Sequence, residues 1–143
     1  MSTLYNTEIL RLAASVADNR LTAPLASAEK RSPVCGSRVT VDVNLDAAGR
    51  IAALGLMVRA CALGQAASAL MAAHAPGRTP QELAAARDAL TAWLAGAGDL
   101  PDWPGLEILA PALPHRARHA SIRLAFEAAA EAAGNAANNR AAA

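Results

Sequence analysis

Between Arg38 and Leu45 apolar and polar residues alternate one for one, with Val39, Val41, Val43 and Leu45 on one side and Thr40, Asp42 and Asn44 on the other. A period of two predicts a half-buried strand. Asp46-Ala47-Ala48-Gly49 then supplies turn chemistry, because Gly49 takes a positive φ at little cost, and Ile51 to Ala60 reads as the returning strand with Leu54, Leu56 and Val58 on its face. The period lengthens on either side of this hairpin. Residues 3–17 place Tyr5, Ile9, Leu12, Ala13 and Val16 at helical spacing, and after Cys61 a second stripe runs through Leu63, Ala66, Ala67, Leu70 and Met71 to a stop at Pro76-Gly77. Thr79-Pro80-Gln81-Glu82 combines an N-cap, a first-turn proline and a capping-box glutamate, opening a third helix that buries Leu83, Leu90, Trp93 and Leu94.

Two stretches carry no clear period. Residues 21–33 mix Pro24, Ser27, Lys30, Arg31 and Pro33 and are expected to be irregular, while four prolines between Asp99 and Pro114 allow only a turn of helix around Leu106 to Leu109. A last helix is expected from Arg116 or Arg118 to Ala133, burying Ile122, Ala125, Phe126 and Ala129, with Gly134 as its C-cap. Residues 135–143, rich in Ala and Asn, read as a disordered tail. The predicted architecture is α+β: a small antiparallel β-sheet with a hairpin core, packed against several α-helices. Residues 1–134 form one domain in this reading, and no internal repeat is visible.

Composition narrows the function classes. The 143 residues are 54% hydrophobic but only 3% aromatic, so the core must be built from Leu, Val, Ile and Ala. Thirteen Lys and Arg against twelve Asp and Glu give a net charge of +1, which argues against nucleic acid as a partner. No run of about 18 apolar residues occurs and the N-terminus lacks a signal-peptide pattern, so the protein is expected to be soluble and cytoplasmic, with no membrane partner.

In a reducing compartment two cysteines point to reactivity, metal binding or inert packing more than to a structural disulfide. Cys35 lies in the loop Ser32-Pro33-Val34-Cys35-Gly36-Ser37 before the first hairpin strand, and Cys61 follows the second and opens a helix. A hairpin returns its second end to the neighbourhood of its first, so the two thiols are expected to meet. A helix N-terminus favours thiolate, and Gly36 leaves the backbone beside Cys35 unobstructed. Paired thiolates suit zinc, Cu(I) or an iron-sulfur centre, but a tetrahedral site needs two further donors. Ser37, Ser68 and Ser121 show no ordered His-Asp constellation, which discounts serine nucleophile chemistry. Arg116, Arg118 and Arg123 form a basic cluster able to dock an acidic partner, a solvated helix face being its ordinary reading.

These residues carry a family resemblance. Pro33-Val34-Cys35-Gly36-Ser37 before a valine-alternating strand, the turn Asp46-Ala47-Ala48-Gly49-Arg50-Ile51, Cys61 heading a small-residue helix, and Arg118-His119-Ala120-Ser121-Ile122-Arg123 resemble the NifU/IscU-type iron-sulfur cluster scaffolds, over about residues 3–133. The resemblance implies a non-enzymatic scaffold that accepts sulfur from a cysteine desulfurase, collects iron and builds a [2Fe-2S] cluster on three cysteines and an aspartate. A chaperone and cluster-accepting apoproteins are further partners of such a family, although its Leu-Pro-Pro-Val-Lys recognition sequence is not reproduced by Ala112-Leu113-Pro114-His115-Arg116.

Cys35 and Cys61 occupy cysteine positions of the family motif. Its aspartate position holds Ser37, its third cysteine position holds Ser121, and its histidine is displaced by one to His119. The implied ligands for iron, a [2Fe-2S] cluster or zinc are therefore Cys35, Cys61 and His119. Two other readings follow from the serines: a degenerate scaffold fold acting as an interaction or regulatory module for a desulfurase, or a protein that relays persulfide sulfur between its two thiols.

Overall fold

The structure is a computed structural model and describes residues 4–33 and 36–142. Helix α1 (Thr7–Ser15) starts where the Asn6 side chain accepts a hydrogen bond from the Ile9 amide at 3.0 Å, and it buries Ile9 and Ala13. Tyr5, expected on its apolar stripe, precedes the helix and is exposed.

Strands β1 (Ala26–Arg31), β2 (Arg38–Leu45) and β3 (Ile51–Arg59) form an antiparallel sheet in the order β1-β2-β3. The β2–β3 hairpin falls where the alternation places it. Asp46 Oδ1 accepts from the Ala48 and Arg50 amides, and Gly49 takes φ +80° to close the turn.

Strand β1 corrects the expectation of an irregular segment over residues 21–33. Its sequence, Ala-Ser-Ala-Glu-Lys-Arg, contains no β-branched or aromatic residue, so it carries no strand signal of its own. The ladder to β2, from Ala26 opposite Val43 to Arg31 opposite Arg38, makes it a strand. Ala28 points into the core, and Lys30 reaches Glu131 at 3.0 Å.

Helix α2 (Ala62–His74) follows β3 directly, and α3 (Pro80–Leu94) begins with the capping box, Thr79 bonding the Glu82 amide and Glu82 bonding the Thr79 amide, each at 3.1 Å. Two 3-10 segments, Leu106–Ala112 and Arg116–Arg118, cross the proline-rich stretch. Trp103 anchors it, donating from Nε1 to the Leu70 carbonyl at 2.9 Å and meeting Phe126 edge-on at 5.1 Å.

Helix α4 (His119–Ala142) lies at the centre, packed against β1 and β2 on one side and against α2 and α3 on the other. Alanines at 125, 128, 129, 132, 133 and 136 are fully buried, and their small side chains let the neighbouring elements approach closely. The helix does not stop at Ala133. Gly134 is not in the left-handed conformation of a glycine C-cap, and the helix continues to Ala142, inside the segment expected to be a disordered tail. Asn139 Nδ2 donates to the Leu25 carbonyl at 3.0 Å, and Arg140 reaches the Asp46 carbonyl.

The sheet face away from the helices is also partly covered. Asn19 exchanges backbone hydrogen bonds with Leu56 on the outer edge of β3, and the chain then passes over Gly55. A Cβ at Gly55 would lie 2.6 Å from Asp42 Oδ2, 2.7 Å from Leu21 N and 2.9 Å from Asn19 O. Asp42, placed by the alternation on the solvent side of β2, is in fact fully buried beneath this crossing. It accepts from Arg20 Nε at 2.7 Å and Nη2 at 2.9 Å, from the Leu21 amide at 3.0 Å, and from Ser27 Oγ. Burial opposes its ionisation, but these hydrogen bonds and the Arg20 charge outweigh it and hold the carboxyl below its ordinary range.

Candidate functional site

Cys61 is the residue through which β3 becomes α2. It is the N-cap of α2, with extended backbone (φ −66°, ψ 172°), and its side chain makes no capping hydrogen bond, so the sulfur is not committed to the helix. Its carbonyl accepts from the Gln65 amide at 2.9 Å, while Gln65 Nε2 donates back to the Ala60 carbonyl at 3.1 Å and closes the strand-to-helix corner. The side chain is half-buried.

Among the described residues, two serines lie next to the sulfur. Cys61 Sγ lies 3.3 Å from Ser121 Oγ, and Ser121 donates to Ser37 Oγ at 3.4 Å. Cys61, Ser121 and Ser37 thus form one hydrogen-bonded chain, in which either the thiol or the Ser121 hydroxyl can donate in the first contact, with both serines buried.

Gly64 makes the approach possible. A Cβ there would stand 2.5 Å from Ser121 Oγ, 2.7 Å from Ala60 Cβ and 3.2 Å from the Ser121 carbonyl, so only glycine lets the first turn of α4 come this close to α2. On the Ser37 side, the loop is closed at its base by the Ser32 amide donating to the Ser37 carbonyl at 2.8 Å and the Gly36 amide to the Ser32 carbonyl at 3.1 Å, with Gly36 at φ +73°. Cys35 itself, and with it the expected meeting of the two thiols, lies outside the described residues.

His119 is placed differently. Its Nε2 is 3.0 Å from the Ala112 carbonyl, on the side of the first 3-10 segment, and the residue is buried. Two residues along a helix turn the side-chain direction by about 200°, so His119 looks away from the face on which Ser121 meets Cys61. Among the described residues no three His, Cys, Asp or Glu side chains converge as a metal site. Among the described residues the donors beside Cys61 are two hydroxyls, which bind iron or zinc less well than thiolate or carboxylate.

Basic side chains border the site. Arg59 donates to Asp18 Oδ2 at 2.8 Å and to its neighbour's carbonyl at Val58, and Asp18 also accepts from the Val58 amide at 3.1 Å. The Arg59 hydrogen bond, followed by that of the Val58 amide, holds the Asp18 carboxyl below its usual value.

The sequence marks Ser37 and Ser121 as places where ligands are missing, but not that their hydroxyls join Cys61 in one hydrogen-bonded chain. Gly64 was legible only as a member of a run of small residues. Its role depends on a helix more than 50 residues away in sequence.

No protein-family model matches the sequence, and no curated protein does. Solved structures do. The N-terminal domain of a nitrogen-fixing NifU-like protein from Brucella abortus superposes with a TM-score of 0.87 at 36% identity, covering 94% of this chain and 95% of that one. A protein described as an iron-sulfur cluster assembly scaffold for the SUF system, from Fervidobacterium islandicum AW-1, superposes with a TM-score of 0.76 at 18% identity over 91% of this chain and 96% of its own, a likeness of fold. With a common fold and more than a third of residues identical over nearly the whole length, the chain belongs to the NifU/IscU-type iron-sulfur cluster scaffold family.

Proposed function

We propose that this protein is a non-enzymatic, scaffold-like carrier that holds iron, a [2Fe-2S] cluster or zinc on Cys35 and Cys61 and receives sulfur from a cysteine desulfurase. One observation carries the reading: the half-buried Cys61 sulfur, uncommitted to its helix, is linked through Ser121 to Ser37, and Ser37 is two residues from the other cysteine. Covalent geometry keeps the Cα atoms of residues 35 and 37 within about 8 Å of each other.

Cys35 and Cys61 would hold the cargo through two thiolates, and Ser37, Ser121 or a partner's side chain would supply weaker oxygen donors beside them. This arrangement favours a cargo that is loaded and surrendered readily over one that is stored. His119 contributes less to such a site, because it looks away from the face on which Ser121 meets Cys61.

The test is anaerobic reconstitution with iron and sulfide, or with zinc, followed by absorption spectroscopy and metal analysis. The wild-type chain is expected to retain metal and the Cys35→Ser, Cys61→Ser double variant to fall to background. Equal retention by the two proteins would refute the reading and favour an interaction module without cargo.

A further inference from the structure

The net charge of +1 conceals an uneven distribution. Three segments, 31–38, 59–65 and 115–123, supply Ser37, Cys61 and Ser121; together they hold six of the chain's twelve arginines and none of its twelve acidic residues. Sheet register concentrates three of these arginines further. Arg31 stands directly opposite Arg38, and Arg38 directly opposite Arg59, so the last rung of the sheet is arginine on all three strands.

Direct partners in an antiparallel sheet project from the same face, with strands about 4.8 Å apart, so the rung roots three arginine side chains side by side on one face. Like charges directly opposed destabilise a sheet. The fold relieves chiefly its ends: Arg31 bonds Glu29 and Arg59 bonds Asp18, each at 2.8 Å, with both arginine side chains more than half exposed. Arg38, in the middle, feels the Glu29 charge but makes no close ion pair with any described residue. Arg118, also exposed, stands one turn before Ser121 and adds a fourth cation on the third segment.

We propose that this rung, with Arg118, is a docking surface for an acidic polypeptide segment that approaches the Cys61 site. A row of three guanidiniums spanning two strand spacings matches a run of carboxylates better than a single anion, since each arginine can hold one carboxylate through paired N–H···O bonds. The surface follows from charge placement alone. That its partner is a protein exchanging sulfur or metal with Cys61 rests on the function proposed above.

The experiment titrates the isotopically labelled protein with an eight-residue oligoglutamate peptide and follows its amide resonances. Shifts are expected to centre on residues 31, 38, 59 and 118 and to weaken as salt rises. The Arg31→Gln, Arg38→Gln, Arg59→Gln variant should lose at least tenfold in affinity while staying folded, because relief of the opposed charges offsets the loss of the Glu29 and Asp18 ion pairs. An Arg11→Gln, Arg87→Gln control should bind as the wild type does. Should the triple variant unfold, Arg38→Gln alone, which breaks no ion pair, should still weaken binding severalfold. Shifts scattered over the surface, undiminished binding by the arginine variants, no binding at all, or tighter binding of a DNA duplex of equal charge at the same rung would each overturn the proposal. Failure of the wild-type chain to take up metal would instead remove the functional reading and leave this surface standing.

Discussion

Ser121 is the side chain that touches the Cys61 sulfur, the ligand on which the proposed function rests. Its oxygen lies 3.3 Å from the Cys61 sulfur, and two sulfurs sharing a tetrahedral metal with bonds of about 2.3 Å stand about 3.8 Å apart. Ser121→Cys therefore brings a third thiol into range with a shift of about half an ångström. A complete structural site is worth about 10–16 kcal/mol, so one added thiolate is expected to contribute on the order of 3 kcal/mol, roughly a hundredfold in Kd. Competition against a chromophoric zinc chelator under anaerobic conditions measures it, and an unchanged Kd would show that Ser121 does not border the metal. Gly64→Ala makes the opposite change. Its Cβ meets Ser121 Oγ at 2.5 Å and Ala60 Cβ at 2.7 Å, so the variant should lose about 2 kcal/mol in urea unfolding and retain metal less well. Cys61 and the serine positions were readable as a site in the sequence because a motif marks them. The hydroxyl chain and the need for Gly64 were not, since both arise from α2 and α4 meeting.

Among the elements, those with a strong internal period were legible, and those made by their neighbours were not. The valine alternation of β2, the turn at Asp46 and the capping box of α3 are each encoded within a few residues, and each appears where expected. Strand β1 has no such signal and exists through its pairing with β2. Asp42 hid for the same reason: nothing near it in sequence shows that residues 19–21 will cross above it. Removing its carboxylate strands the Leu21 amide and Ser27 hydroxyl and releases Arg20, so Asp42→Ala is expected to cost about 3 kcal/mol, measured by chemical denaturation. A loss under about 1 kcal/mol would show that the crossing is held by other contacts. The pH dependence has a definite sign. Asp42, Asp18 and Glu29 all have folded-state values below their ordinary ones, so their stabilisation is fully present above the ordinary carboxylate range near pH 4 and is lost as pH falls through the lower folded values. The Asp42→Ala variant should show a shallower fall in melting temperature between about pH 4 and pH 2 than the wild type.

At the scale of the whole molecule, α4 connects everything: it backs the sheet, packs on α2 and α3, and carries Ser121 at its first turn. Alanine is legible in the sequence as core material, with Ala125 and Ala129 on the buried face, but the packing of all six alanines around one central helix is visible only in the assembled fold. That centrality also explains why the helix outruns Gly134: Ala136 is fully buried and Asn139 reaches the Leu25 carbonyl, so the last turns have partners. Hydrogen exchange should accordingly show protection beyond residue 134, to about residue 136; exchange at the unprotected rate from residue 135 onward would mean that the helix ends at Gly134. Cys61, Ser121 and Ser37 sit where β3, α4 and the loop before β2 come together, and the scaffold family to which the chain belongs gives that junction its meaning. The central claim is that Cys35 and Cys61 together hold the metal. X-ray absorption at the zinc or iron edge of the anaerobically loaded protein tests it most directly, because it counts sulfur neighbours. The account predicts two protein sulfurs per zinc at about 2.3 Å, with both lost in the Cys35→Ser, Cys61→Ser variant; a first shell of nitrogen and oxygen alone in the wild-type protein would contradict it.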